Sequence, residues 1–264
     1  MREERSITVR GQQLRIALDG PAGAPWLVLS NSLATDLRLW DRQVAALADR
    51  WRILRYDFRG HGGSAPSVDP LCDVNILASD LLGLIDALGA GRVHHVGVSM
   101  GAVAGVAAAL QSPDRFAGLV VCNSRLRSTQ GSAADLERRA QRARRDGTAA
   151  LVELTLQKWF GNARLPLPVD VRELVTDMIA NTKAADFAAY ALGMASYQLE
   201  DRIAELPMPM HLLAGGDDGT IGDEFQALSA RHPKIGCVLL EGAGHLPNLH
   251  VSTEFNSVLA RLIG

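Results

Sequence analysis

The chain has 264 residues, 47% of them hydrophobic and 21% charged, with a formal net charge of -2 at neutral pH. That balance suits a folded globular protein with a sizeable core and excludes a disordered one. It gives no electrostatic basis for binding nucleic acid or an anionic membrane, and no apolar run is long and unbroken enough to span a bilayer.

In chain order, Met1 to Thr8 carries acids and no apolar segment, which is not a signal-peptide pattern. Ser6–Val9 and Gln13–Leu18 flank Arg10-Gly11-Gln12 and predict a hairpin. Trp26–Ser30 and Arg52–Asp57 are short apolar runs that predict buried strands. Apolar residues at helical spacing predict a helix over Asp73–Leu88, ended by Gly89. Val93–Val98 and Gly118–Cys122 predict strands on either side of an alanine-rich helix, Met100–Gln111. From about Leu126 to Leu206 strand-like runs disappear and helical periodicity takes over, so residues 126–206 are expected to form a helical insertion. It would divide a core made of residues 1–125 and 207–264. Pro209–Ala214 and Ile235–Leu240 complete the strands, and Thr253–Ile263 predicts a closing helix. Alternating short strands and helices imply a mostly parallel sheet covered on both faces, with the hairpin at an antiparallel edge.

Cys72, Cys122 and Cys237 form neither a disulfide framework nor a zinc-type spacing. They read as buried reduced thiols in a cytoplasmic protein, with no metal or other cofactor implied. The run Glu137–Arg145 is basic and interleaved with acids, which reads as a solvated helix face.

The chemistry concentrates at Gly97-Val98-Ser99-Met100-Gly101, between a predicted strand and a predicted helix. A serine at so tight a reversal takes a strained backbone, and side chains at 97 and 101 would collide with the neighbouring helix and strand. The turn lifts the hydroxyl clear of the sheet as a nucleophile, with the Met100 amide aimed at whatever it attacks. In a parallel sheet, functional groups gather where strands end at their carboxyl termini. Gly215-Gly216-Asp217-Asp218 and Gly242-Ala243-Gly244-His245 lie at two such ends. A serine hydroxyl needs a base to take its proton, and His245, in its glycine-flanked loop, is the candidate. A carboxylate must then fix the imidazole tautomer. Asp217 and Asp218 both qualify, and the spacing from Gly215 favours Asp218. The second oxyanion donor should come from the loop after Ser30, and the Leu33 amide is expected there, with Asn31 as a helper. His61, in Asp57–Gly62, is given no catalytic role, and Arg59 is expected to tie loops together.

Leu29–Asp36 with Trp40, Tyr56-Asp57-x-Arg59-Gly60-His61-Gly62, Gly97–Gly101, Lys158-Trp159-Phe160 and Ala243–Leu246 together resemble the α/β-hydrolase group that contains the 3-oxoadipate enol-lactonases. The resemblance covers nearly the whole chain. It implies an α/β-hydrolase fold with an eight-stranded, mostly parallel sheet and a helical cap. It further implies cofactor-free opening of a small lactone or ester through an acyl-enzyme, in aromatic-compound degradation. Because the lactonase substrates bear carboxylates, Arg127 is expected to supply a cation on the cap side and Trp159 a pocket wall. The chain departs from the group at Ala34, where a glycine is usual, and at Ala195-Ser196, where an arginine–aspartate pair is expected. A carboxylesterase, a cofactor-free perhydrolase and a non-enzymatic ligand receptor share the same fold and stand as alternatives.

Overall fold

Strands whose residues are buried on both faces must lie inside a sheet covered by helices. Leu27, Val28 and Leu29 are such residues, as are Val96 and Val98, all shielded from solvent. A computed structural model, which describes residues 2–264, places them at the centre of one eight-stranded sheet. The strands are β1 (Glu3–Val9), β2 (Gln12–Asp19), β3 (Trp26–Ser30), β4 (Arg52–Tyr56), β5 (Val93–Val98), β6 (Phe116–Cys122), β7 (Met210–Gly215) and β8 (Ile235–Leu240). Their spatial order is β1-β2-β4-β3-β5-β6-β7-β8. The hairpin β1–β2 runs antiparallel and β2 joins β4 antiparallel, while every pairing from β4 to β8 is parallel.

The helices that return the chain between parallel strands follow from local sequence. In α2 (Val74–Ala87), the Asp73 side chain accepts from the Asn75 and Ile76 amides, capping the first turn. The alanines of α3 (Met100–Gln111) let it lie close on β5 and β6, and ten of its residues are buried. Two helices escaped the periodicity reading, α1 (Asp41–Leu47) and α8 (Ile221–Arg231). Beyond β8 come the single turn α9 (Pro247–His250) and the closing α10 (Ser252–Ile263).

Between β6 and β7 the described structure is helical: α4 (Gln130–Asp146), α5 (Val152–Phe160), α6 (Val169–Asn181) and α7 (Ala184–Gly193). A two-residue bridge, Arg127 with Gln198, clasps the two ends of this insertion together. Among the described residues no helix is long and apolar enough to cross a membrane. Cys72 and Cys122 are buried thiols, but Cys237 on the edge strand β8 is only partly covered.

Candidate active site

Ser99 joins β5 to α3 with φ 55° and ψ -118°, in the left-handed half of backbone space that residues with a Cβ avoid. The flanking glycines are there for space. A Cβ on Gly97 would run into the backbone of Gly101, and one on Gly101 into the carbonyls of Ser30 and Asn31 at the end of β3. The expected collisions with helix and strand are therefore the ones found. The Ser99 amide donates to the Cys122 carbonyl at 2.8 Å, anchoring the turn to β6.

The strand ends bring the other groups to the same side. Asp218, after β7, accepts from Nδ1 of His245, after β8, at 2.7 Å. Burial opposes ionisation of Asp218. The charge and hydrogen bond of His245, the Asn123 amide and Arg125 outweigh it and hold the carboxyl below its ordinary range. Asp217 points elsewhere: Arg164 donates to it from its backbone amide at 2.8 Å and from its guanidinium. Ser99 and His245 line one cavity with Leu33, Met100, Arg127 and Trp159. Their side chains make no hydrogen bond to each other.

Two supporting residues were not legible as such. Asn123, at the end of β6 with φ 44°, donates from its side chain to the same Asp218 oxygen that His245 uses, at 2.9 Å. Its own Oδ1 accepts from the Gly215 amide. The sequence marked this position only as lacking a carboxylate. His250 accepts from the Gly244 amide through Nδ1 at 3.1 Å and so braces the His245 loop from α9.

The loop after β3 is fixed from beneath. Buried Asp57 accepts from the amides of Leu37 at 2.7 Å and Gly63 at 2.9 Å. Burial nevertheless pushes its carboxyl up to about 6, against those two bonds. Asn31 donates to the Tyr56 carbonyl and is thereby held as part of this support. Ala34 has φ 62°, which explains why a glycine is usual there. Neither the Leu33 nor the Met100 amide donates to another described residue. Both residues line the cavity. His61 is buried, contacting the Arg59 carbonyl through Nδ1. Arg59 pairs with Asp80 at 2.6 Å and with Asp69.

The cavity encloses about 150 Å³ and is lined by four basic side chains and, among the described residues, no acidic one. Three of the four are ion-paired from outside it. Arg125 meets Glu224 at 2.7 Å, Arg127 meets Glu200 at 3.1 Å, and Lys158 meets Asp135 at 2.5 Å. Arg139, on α4, has no carboxylate in salt-bridge range among the described residues. It lies over the Phe187 ring at 5.4 Å and donates to the Thr155 hydroxyl at 3.3 Å. Burial pulls its pKa below the ordinary value, with Asp135 opposing. The reading of the 137–145 run as a solvated face is thus corrected at Arg139, which turns inward. Helical phase on a polar helix does not reveal which arginine meets a neighbour's apolar side.

Comparison with known proteins agrees with this architecture. The chain is 28% identical to 3-oxoadipate enol-lactonase 1 of Acinetobacter baylyi, over 100% of this chain and 98% of that one. A thermophilic esterase from Thermogutta terrifontis, solved with malate bound, superposes with a TM-score of 0.89 at 27% identity, covering 99% and 98% of the two chains. The enol-lactonase from Burkholderia xenovorans LB400 gives 0.83 at 29%, covering 98% and 99%. The Alpha/beta hydrolase family profile matches residues 22–258, from the turn before β3 into α10, and the chain belongs to that family.

Proposed function

We propose that the protein is a serine hydrolase that opens a small lactone or ester carrying a carboxylate, with residues 126–206 forming a cap over the site. The observation that carries this reading is the pairing of the Asp218–His245 hydrogen bond with Ser99 in the same cationic cavity. His245 Nε2 takes the Ser99 proton as the hydroxyl oxygen attacks the carbonyl carbon, and Asp218 stabilises the imidazolium that forms. The Leu33 and Met100 amides receive the oxyanion. Collapse breaks the carbonyl carbon–oxygen bond, and the imidazolium returns its proton to the leaving oxygen. In a lactone that oxygen stays tethered to the acyl chain on Ser99. Water, deprotonated by His245, then attacks the acyl carbon; the bond to the Ser99 oxygen breaks, the imidazolium returns the proton to that oxygen, and the acid is released.

Arg139 is the group we assign to the substrate carboxylate. A guanidinium held without a counter-ion in a partly buried setting is unfavourable, and an anionic ligand offsets that. Arg127, the expected cation, also lines the cavity but is already engaged by Glu200. The volume is of the order that accepts a benzene-sized ligand, about 150 Å³. The relatives support both halves of the proposal: two are enol-lactonases, and the Thermogutta esterase holds malate, itself a carboxylate. The free thiols fit a reducing compartment.

The test is a matched set: a lactone and a p-nitrophenyl ester, each with and without a carboxylate. We expect the carboxylate to raise kcat/KM at least tenfold in both scaffolds. Equal turnover of charged and neutral forms would refute the anionic substrate. Failure to react with a fluorophosphonate would refute the serine mechanism and favour a ligand receptor.

A further inference from the structure

The hydrogen bond to Asp218 holds His245 at one nitrogen, and a ring held at one point pivots about that bond. The hydroxyl of Ser99 does not supply the second point, since no hydrogen bond links the two side chains. What lies against the imidazole is the indole of Trp159, the second-last residue of α5. The two rings stack, with centroids 5.3 Å apart and planes 22° from parallel. The same residue also holds the His245 backbone, its carbonyl accepting the His245 amide at 2.7 Å. Gly244 is what permits this approach, because a Cβ there would meet the Trp159 carbonyl. The next residues continue the grip: the Leu165 amide donates to the Gly242 carbonyl at 3.1 Å, and Arg164 holds Asp217. One short stretch of the helical insertion thus holds the loops bearing the acid and the base.

We propose that Trp159 is a positioning residue: its indole sets the plane of the His245 imidazole so that Nε2 is directed at the Ser99 hydroxyl. This rests on the serine-hydrolase reading above. A π face against the ring also favours the imidazolium, which forms only as the serine attacks. The contribution therefore belongs to kcat and to any reaction that needs an activated Ser99. A pocket wall would act on KM instead.

The experiment compares Trp159→Leu, which fills space without an aromatic face, with Trp159→Phe, which keeps one. For Leu we expect kcat to fall about 10- to 100-fold with KM within about threefold. Labelling of Ser99 by a small fluorophosphonate, which needs no substrate seat, should slow by the same factor. The downfield NMR proton of the His245–Asp218 hydrogen bond should broaden. Phe should recover kcat and labelling to within about threefold of the parent. A Leu variant with raised KM but unchanged kcat and labelling would overturn the proposal and leave Trp159 a wall. Should the Leu protein not fold, the unmodified protein decides: the carbon-bound ring protons of His245 must be shifted by the indole ring current, and the absence of any such shift overturns the stack. Ser99→Ala keeps the two ideas apart, because full turnover in that variant would refute the serine mechanism, whatever Trp159 does.

Discussion

The strand ends and the helical insertion contribute to the same cavity by different rules. At the strand ends, each functional group is specified by its own few neighbours: two glycines make the Ser99 turn, Gly244 lets the His245 loop close on Trp159, and Gly242 lets it pass Leu165. In the insertion, position alone says little. Arg127 and Arg139 are both arginines lining the cavity, and only contacts distinguish the one engaged by Glu200 from the one left over Phe187. Under the proposed function, the nucleophile turn and the base loop are written locally, whereas ligand selection is written in the company each side chain keeps.

The largest expected effect tests the local half. Ser99→Ala should lower kcat by about 10⁴-fold or more, measured by initial rates on the preferred substrate. Parent-like turnover would break the comparison at its root. Asp218→Asn should lower kcat by about 10³- to 10⁴-fold while Asp217→Asn changes it by less than about fivefold, since Asp217 serves Arg164 and not His245. Comparable losses at the two positions would contradict that division.

The contextual half is sharpened by Arg139→Met. It should reduce kcat/KM for a carboxylate-bearing substrate by about 10- to 100-fold and spare the neutral ester, as loss of a charge-assisted bond requires. The same variant should be as stable as the parent or more so in thermal melts, because an uncompensated charge is replaced by an apolar chain. Arg127→Met should change kcat/KM by less than about threefold. Reversed magnitudes for the two variants would return the anchor to Arg127.

The smallest effect concerns stability and lies beneath the Leu33 loop. Asp57 holds its proton up to about pH 6 in the fold, against an ordinary value of 3.8. Below about pH 4 both folded and unfolded chains keep that proton, and pH has no effect through this group. Between about 4 and 6 the unfolded chain ionises first, so the Asp57 contribution to stability is lost as pH rises, and above that window it is flat. Asp57→Asn should remove this slope, about 2–3 kcal/mol across the window, in denaturant melts compared pairwise with the parent. Parallel curves for the two proteins would show that burial does not hold the proton there.

The sequence made most of this fold legible because its strands are short, apolar and separated by turn residues; Trp26–Ser30, Val93–Val98 and Ile235–Leu240 appear with the bounds expected. The helix α8 escaped because its buried residues Ile221, Phe225 and Leu228 are diluted by acids, glycine and serine. Asn123 escaped because an amide carries no catalytic signature until a carboxylate is seen beside it. Arg139 escaped because a run of arginines looks alike from outside. The stacking of Trp159 on His245 joins residues 86 positions apart, and no local pattern encodes it.

The two amides assigned to the oxyanion are direct chain neighbours of Ala34 and Ser99, whose backbones sit at φ 62° and 55°. Each such residue costs about 1–2 kcal/mol relative to a relaxed conformation. The fold thus carries, before any ligand arrives, a conformational debt located beside both donors. Thermal hardening of this protein by relaxing either residue would release that tension and free the adjacent N–H to wander, so robustness and readiness pull on the same two dihedral angles.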